Sequence, residues 1–254
     1  MSEAEAEYRQ AIAISRKVTA DNSAVTQFRV FLGNHHNELG RLLLAQGKPS
    51  EAEAEHRRAL EIRQKLADDN PKAPENRSHL ALSQMNLADV VRSLGRPTEA
   101  REGYERAIAI HESLTLEDPK TTSFRSSLAS SLRRRGRARG ETGDPAGAAA
   151  DARRAIALWE GLPSRTGAEW FETACARAAL AGLASRDGSG VSAAEAASEA
   201  DVAMALLGRA VALGFRSRDR FGTEDALDSL RGRDDFRLLL MDLAMPAEPF
   251  DAAR

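Results

Sequence analysis

One spacing constrains this chain more than any other property. The segment SEAEAE at residues 2–7 recurs unchanged at residues 50–55. Another 48 residues on, Thr98, Glu99 and Ala100 fall in the same columns, and the next step brings Ala146, Gly147 and Ala148. No gap is needed from residue 2 to about residue 162. A fixed period of this size marks a solenoid array, in which each unit buries its apolar face only against its neighbours. A domain count drawn from the length of 254 residues therefore does not apply.

Each period holds two helical patterns. The first spans about residues 25–46, with Phe28, Leu32, Leu39, Leu42 and Leu43 at helical spacing. Gly47 is placed to end it in the left-handed region, with Pro49 just beyond, and Gly95/Pro97 and Gly143/Pro145 repeat this punctuation. The second helix is predicted from about Ser50, with Ser50 and Thr98 as caps and Glu51 and Glu99 near its positive end. Asn70-Pro71 and Asp118-Pro119 break it, because a residue before proline is pushed out of the helical region. Small and large residues keep fixed columns along this helix. Ala11, Ala59, Ala107 and Ala155 share one, and Ile12, Leu60, Ile108 and Ile156 the next. Alanine at one helical position permits close helix approach, and the aliphatic neighbour fills the space beside it. A third column holds Tyr8, His56, Tyr104 and Ala152.

Leu39-Gly40, Ala52, His56 and Ala59 stand at the spacing of the tetratricopeptide repeat signature. Leu87-Ala88, Ala100, Tyr104 and Ala107 follow, then Gly136, Ala148, Ala152 and Ala155. The common repeat is about 34 residues long. The chain resembles the long-helix variant seen in kinesin light chains and many bacterial arrays, with about two further turns on each helix. The resemblance implies an all-α fold, a right-handed α-solenoid of antiparallel helix pairs with a short-helix C-terminal cap. The expected organisation is a half repeat plus about three repeats over residues 2–162, a degenerate terminal repeat over 163–214, and capping helices over 215–254. Phe215, Phe221, Leu227, Leu230, Phe236 and residues 238–240 would supply the apolar side of that cap. Residues 227–240 are similar to the tail of tetratricopeptide arrays that follow Ser/Thr kinase domains in planctomycete-type bacteria.

At the other end, residues 2–19 read as a second helix without a first. Ala4, Tyr8, Ala11 and Ile12 would then lack half their partners. A longer parent protein is the favoured expectation, with self-association through this uncapped helix as the rival.

The net charge of −2 argues against a chain built as a polyelectrolyte for nucleic acid or a membrane surface. A single cysteine, Cys175, allows no internal disulfide, and the expected setting is the bacterial cytoplasm, without a membrane span. No catalytic set is visible, so the chain is not expected to be an enzyme, and neither cofactor nor metal is implied. His35 and His36 are adjacent and point to different helix faces, which reads as a surface pair. His56 reads as a packing residue and Cys175, among Ala174, Ala176 and Ala179, as core. Gly188-Ser189-Gly190 follows a helix and lacks the Lys-Ser/Thr ending of a phosphate loop.

What such an array offers is a concave wall of first helices. The resemblance places Asn34, Asn37 and Arg41 on it, then Met85, Asn86, Asp89 and Arg92, then Ser130, Arg133, Arg134 and Arg137. Polar residues in an Ala/Leu repeat are informative, because unpaired burial would not tolerate them. Basic character grows toward Arg133–Arg139, and guanidinium forks suit carboxylates and phosphates. An acidic peptide, a C-terminal carboxylate or a phosphorylated segment is the expected ligand class. Of the positions that grip a chaperone's C-terminal carboxylate in this family, Asn86 and Arg134 agree, and both expected lysines are absent. The alternative for the arginine run is a solvated face balanced by Glu141, Asp144 and Asp151. Three functions follow: a non-catalytic protein-interaction scaffold, a docking module of a larger Ser/Thr kinase, and, last, an RNA-binding array. The last is disfavoured because no stacking aromatics interleave the arginines.

Overall fold

A computed structural model describes residues 2–22 and 25–245. Among these residues the regular elements are all helical, and no strand occurs. The chain divides into two compact units, residues 1–124 and residues 125–254, taken separately below.

The first unit contains α1 (Glu3–Asp21), α2 (Thr26–Ala45), α3 (Pro49–Asp69), α4 (Pro74–Ser93) and α5 (Pro97–Glu117). Consecutive helices pack on one another, with α2 on α3 and α4 on α5 as the most extensive pairs. The turn between them is built as the glycines suggest. Gly47 and Gly95 have φ of 72° and 76°, a region from which a Cβ would be repelled. Lys48 N donates to Leu43 O at 2.9 Å and Gly47 N to Leu44 O at 3.0 Å, which satisfies carbonyls left open at the end of α2. Helix starts differ from expectation. Ser50 and Thr98 do not cap; Pro49 and Pro97 open α3 and α5, and the cap positions fall to Lys48 and Arg96, without a side-chain bond. Proline suits the first helical position, having no N–H to satisfy and a φ already set for helix.

The period is also written in ion pairs. Lys48 meets Glu5 at 2.9 Å and Arg96 meets Glu53 at 3.1 Å, 48 residues further on in both partners. Arg9–Glu51 at 3.2 Å recurs as Arg57–Glu99 at 3.5 Å, and Arg29–Asp69 at 2.6 Å as Arg77–Glu117 at 2.5 Å. Each joins a helix or its cap position to another helix; apart from buried Glu5 the partners are at least partly exposed, where a pair contributes about 0–1 kcal/mol. Their value is registry, since the same pairs recur one period apart between α1 and α3 and between α3 and α5.

The second unit begins within α6 (Thr122–Glu141) and continues through α7 (Pro145–Glu160), α8 (Gly167–Gly182) and α9 (Ala193–Ala212). Here Asp144 does cap α7, accepting from Gly147 N at 2.8 Å, and Thr166 and Glu169 form a reciprocal capping box on α8. Short helices α10 (Arg218–Thr223) and α11 (Asp234–Ala244), with a 3-10 turn at Asp225–Leu230, follow α9. Phe221, Leu227, Leu230, Phe236 and Leu243 are buried together with Phe171, Cys175, Ala203 and Leu207 of α8 and α9. Phe171, Phe215 and Phe221 stack at 4.8–6.1 Å between ring centres. This cluster ties the C-terminal segment down.

Candidate functional site

In the first unit α2 and α4 lie in contact, and their polar residues link them. Asn86 Nδ2 donates to Asn37 Oδ1 at 2.7 Å, and Asn37 Nδ2 donates to Glu38 at 3.0 Å. Asn34 Oδ1 accepts from Arg63 at 2.9 Å, while the same guanidinium reaches His79 O and Ser83 Oγ. Arg63 is buried without a carboxylate on it, and burial lowers its pKa to about 10. Tyr104 donates its hydroxyl to Asp89 at 2.7 Å. Asn37 and Met85 are buried; Asn34, Asn86, Asp89 and Arg92 are half-buried. Arg41 stands out at 65% side-chain exposure, paired with Glu38 at 3.1 Å. Two apolar residues missed by the sequence reading flank these groups: Phe31 is 46% exposed and Leu82 39%. A signal existed, since Leu82 occupies the column of Asn34 and Ser130, and Phe31 that of His79 and Ser127. Apolar residues in otherwise polar columns mark a surface kept for contact.

His36 corrects the expectation of a surface histidine pair. It is buried and its Nδ1 lies 2.6 Å from Glu55, which also takes Arg58. Burial pushes the Glu55 carboxyl up, but the His36 bond and the Arg58 charge outweigh it and hold the group below the usual carboxylate range. His35, half-buried, meets Ser15 at 2.9 Å. His56 is buried as a packing residue, with no hydrogen-bond partner on Nδ1.

In the second unit the arginine run is engaged within the molecule. Arg133 is buried and meets Glu172 of α8 at 2.8 Å and Glu224 at 3.2 Å. Arg137 meets Asp225, Glu141 at 3.4 Å and Glu224 at 3.9 Å. Arg135 and Arg139 converge on buried Asp151 at 2.6 and 3.2 Å. Burial raises the pKa of Glu172 and Glu224, yet the facing arginines, Arg133 first, outweigh this and keep both carboxyls below their ordinary value. Arg133 thus clamps α10 and the following turn to α6 and α8. Ser130 and Arg134 are half-buried on α6. A cleft of about 280 Å³ in this unit has Gly136, Gly140, Ala152 and Ala178 among its lining residues and Arg133, Arg137 and Arg186 on its wall. Sequence reasoning could not pair Arg133 with Glu224, 91 residues away, because no period relates them.

Burial pushes the Cys175 thiol well above its ordinary range, so it stays protonated in an apolar cluster. Among the described residues no group of three His, Cys, Asp or Glu side chains is placed to hold a metal ion, and no helix is long and apolar enough to cross a membrane.

Residues 31–113 match the family model for the tetratricopeptide repeat, and this part of the chain carries such repeats. It is similar in fold to BtubC (BKLC) from P. vanneervenii, with 16% identity, a TM-score of 0.62, and coverage of 94% of this chain and 91% of that one. It is also similar to the apo form of RapI, at 14% identity and a TM-score of 0.52; 93% of this chain aligns to 58% of that one. A search of curated protein sequences returns no match. Repeats of this kind suggest a protein-interaction scaffold.

Proposed function

We propose that the chain is a non-catalytic scaffold that binds an extended, acidic segment of a partner protein along the α2 and α4 face. The observation that carries this reading is the mixture on that face. Exposed Phe31 and Leu82 stand beside the hydrogen-bonded Asn37–Asn86 pair and exposed Arg41. An extended segment presents backbone donors and acceptors at its edge, and an amide side chain such as that of Asn86 can answer both. Phe31 and Leu82 offer apolar contact, where a partner side chain would gain roughly 25 cal/mol per Å² covered. Arg41 supplies the preference for acid. Its present pair with Glu38 is a surface one, so exchange for a partner carboxylate or phosphate loses about 0–1 kcal/mol and gains a bidentate bond. Arg133 and Arg137 drop out of the ligand set because Glu172, Glu224 and Asp225 hold them.

The test is affinity capture from a bacterial lysate with the full chain, against Arg41→Glu and Phe31→Ala, followed by anisotropy with peptides from the captured proteins. Loss of the same acidic peptides with both variants, by tenfold or more, supports the reading. A captured set indifferent to both variants overturns it.

A further inference from the structure

We propose that the cleft formed where α1, α2 and α3 meet binds a small aliphatic carboxylate. The cleft has a volume of about 280 Å³ and takes lining residues from all three helices. Ile12 of α1 and Leu39 of α2, both buried, give it an apolar base. Arg9, Arg16 and Arg58 line it as well, and all three are exposed. Its buried polar groups are His36, 3% exposed, and Glu55. One ring nitrogen of His36 is committed and the other is not. Nδ1 lies 2.6 Å from Glu55. Burial alone would raise the Glu55 carboxyl, but the His36 bond and the Arg58 charge hold it below the usual carboxylate range, so Nδ1 is the donor. Nε2 has no hydrogen bond among the described residues, and with Nδ1 turned to Glu55 it is the ring atom left to the cleft. A carboxylate behind an imidazole stabilises the charged ring, whose Nε2–H then donates.

The guanidinium groups divide in the same way. Arg9 is held by Glu5 and Glu51, and Arg58 by Glu55. Arg16 has no ion pair among the described residues. Packing does not ask for these charges. One period on, Gln64 stands in the column of Arg16, Gln84 in that of His36 and Gly103 in that of Glu55. There Arg106, the counterpart of Arg58, donates from Nε to Gln84 at 3.2 Å, and a Cβ on Gly103 would stand 2.9 Å from that of Ala88. Neutral residues and close helix approach suffice at that repeat, whereas this one brings a free arginine and a half-used histidine to the same cleft. Those two donors set the ligand class. A guanidinium fork and one imidazole N–H match the two oxygens of a planar carboxylate. Ile12 and Leu39 offer no donor for the further oxygens of a phosphate, and suit an aliphatic stem instead. This site is separate from the α2 and α4 face and stands whether or not that face binds acidic segments.

The probe is pentanoate, titrated into the full chain and followed by NMR at the methyl groups of Ile12 and Leu39. Saturable shifts of both are expected, and Arg16→Gln, which copies the next repeat, weakens binding at least fivefold. His36→Gln weakens it to a similar degree. Circular dichroism establishes that the variants remain folded; Arg16, exposed and outside any ion pair, serves if His36→Gln does not fold. Lys72→Gln, an exposed charge elsewhere in the same unit, leaves binding unchanged. Pentanol, which lacks the carboxylate, produces no saturable shift. Absence of saturation with pentanoate, or binding indifferent to Arg16→Gln, overturns the proposal. Inorganic phosphate binding more tightly than pentanoate overturns it as well, since the site would then recognise a different anion.

Discussion

His56 lies against Gly40 so closely that a Cβ at position 40 would stand 2.7 Å from its Nε2 and 2.9 Å from its Cε1. The ring is buried. Gly40→Ala is expected to lower stability by about 1–3 kcal/mol, as overpacking of a close-packed interior does. Urea unfolding measures this, and the double variant Gly40→Ala/His56→Ala should lose less than the two single losses combined, because each change accommodates the other.

Burial drives His56 and His111 down to a pKa of about 4, from the ordinary 6.5. Between those values the unfolded chain binds protons that the folded chain refuses, so stability is complete above pH 6.5 and is lost as pH falls toward 4. At pH 5 the loss is about 2 kcal/mol per histidine. Urea midpoints at pH 7.5 and pH 5 give the slope, and His111→Leu should remove about half of it.

Glu55 and His36 form a buried pair 2.6 Å apart between α3 and α2. Glu55→Ala strands the histidine and opens a gap, and a loss of about 3 kcal/mol is expected. Replacing both partners by leucine should lose far less, since an apolar pair of similar volume removes the desolvation penalty. Thermal unfolding of the single and double variants separates the two outcomes.

Arg133→Ala removes the buried one of two guanidinium groups that bridge Glu172 and Glu224, leaving the more exposed Arg220. The expected loss is about 3 kcal/mol, with hydrogen exchange rising most around Glu224, where the apolar cluster that holds residues 218–244 has this ion pair beside it. Arg41→Ala, at a solvent-exposed ion pair, should change stability by less than about 0.5 kcal/mol. Comparable losses for the two variants would contradict the distinction drawn between a clamp and a contact surface.

The helix pairs were legible because their signals are local. Gly47 and Gly95 adopt the backbone that ends a helix, and Asn70 and Asp118 stand at the breaks before proline. The capping of α3 and α5 was misread because Ser50 is an acceptable cap residue in isolation, while Pro49 takes the first helical position and moves the cap back to Lys48. His36 was misread for a different reason. Adjacent histidines do point to different faces, but which face is covered depends on Glu55 arriving from the next helix. The arginines of α6 posed the same difficulty over a longer span. Glu141, Asp144 and Asp151 were visible nearby as counter-charges, whereas Glu172, Glu224 and Asp225 are brought in by the fold.

The amino-acid sequence by itself determined the period, the two helices in each unit, the turns between them and the alanine columns along which they approach. These follow from backbone preference and hydrophobic spacing, which act within a few turns of chain. Only the tertiary structure decided which polar side chains face solvent, because that depends on partners far away in sequence. Arg41 remained a surface residue paired with Glu38 of its own helix. Arg133, of the same type and on an equivalent class of helix, was buried because Glu172 and Glu224 reach it, and a buried cation persists only where such partners meet it.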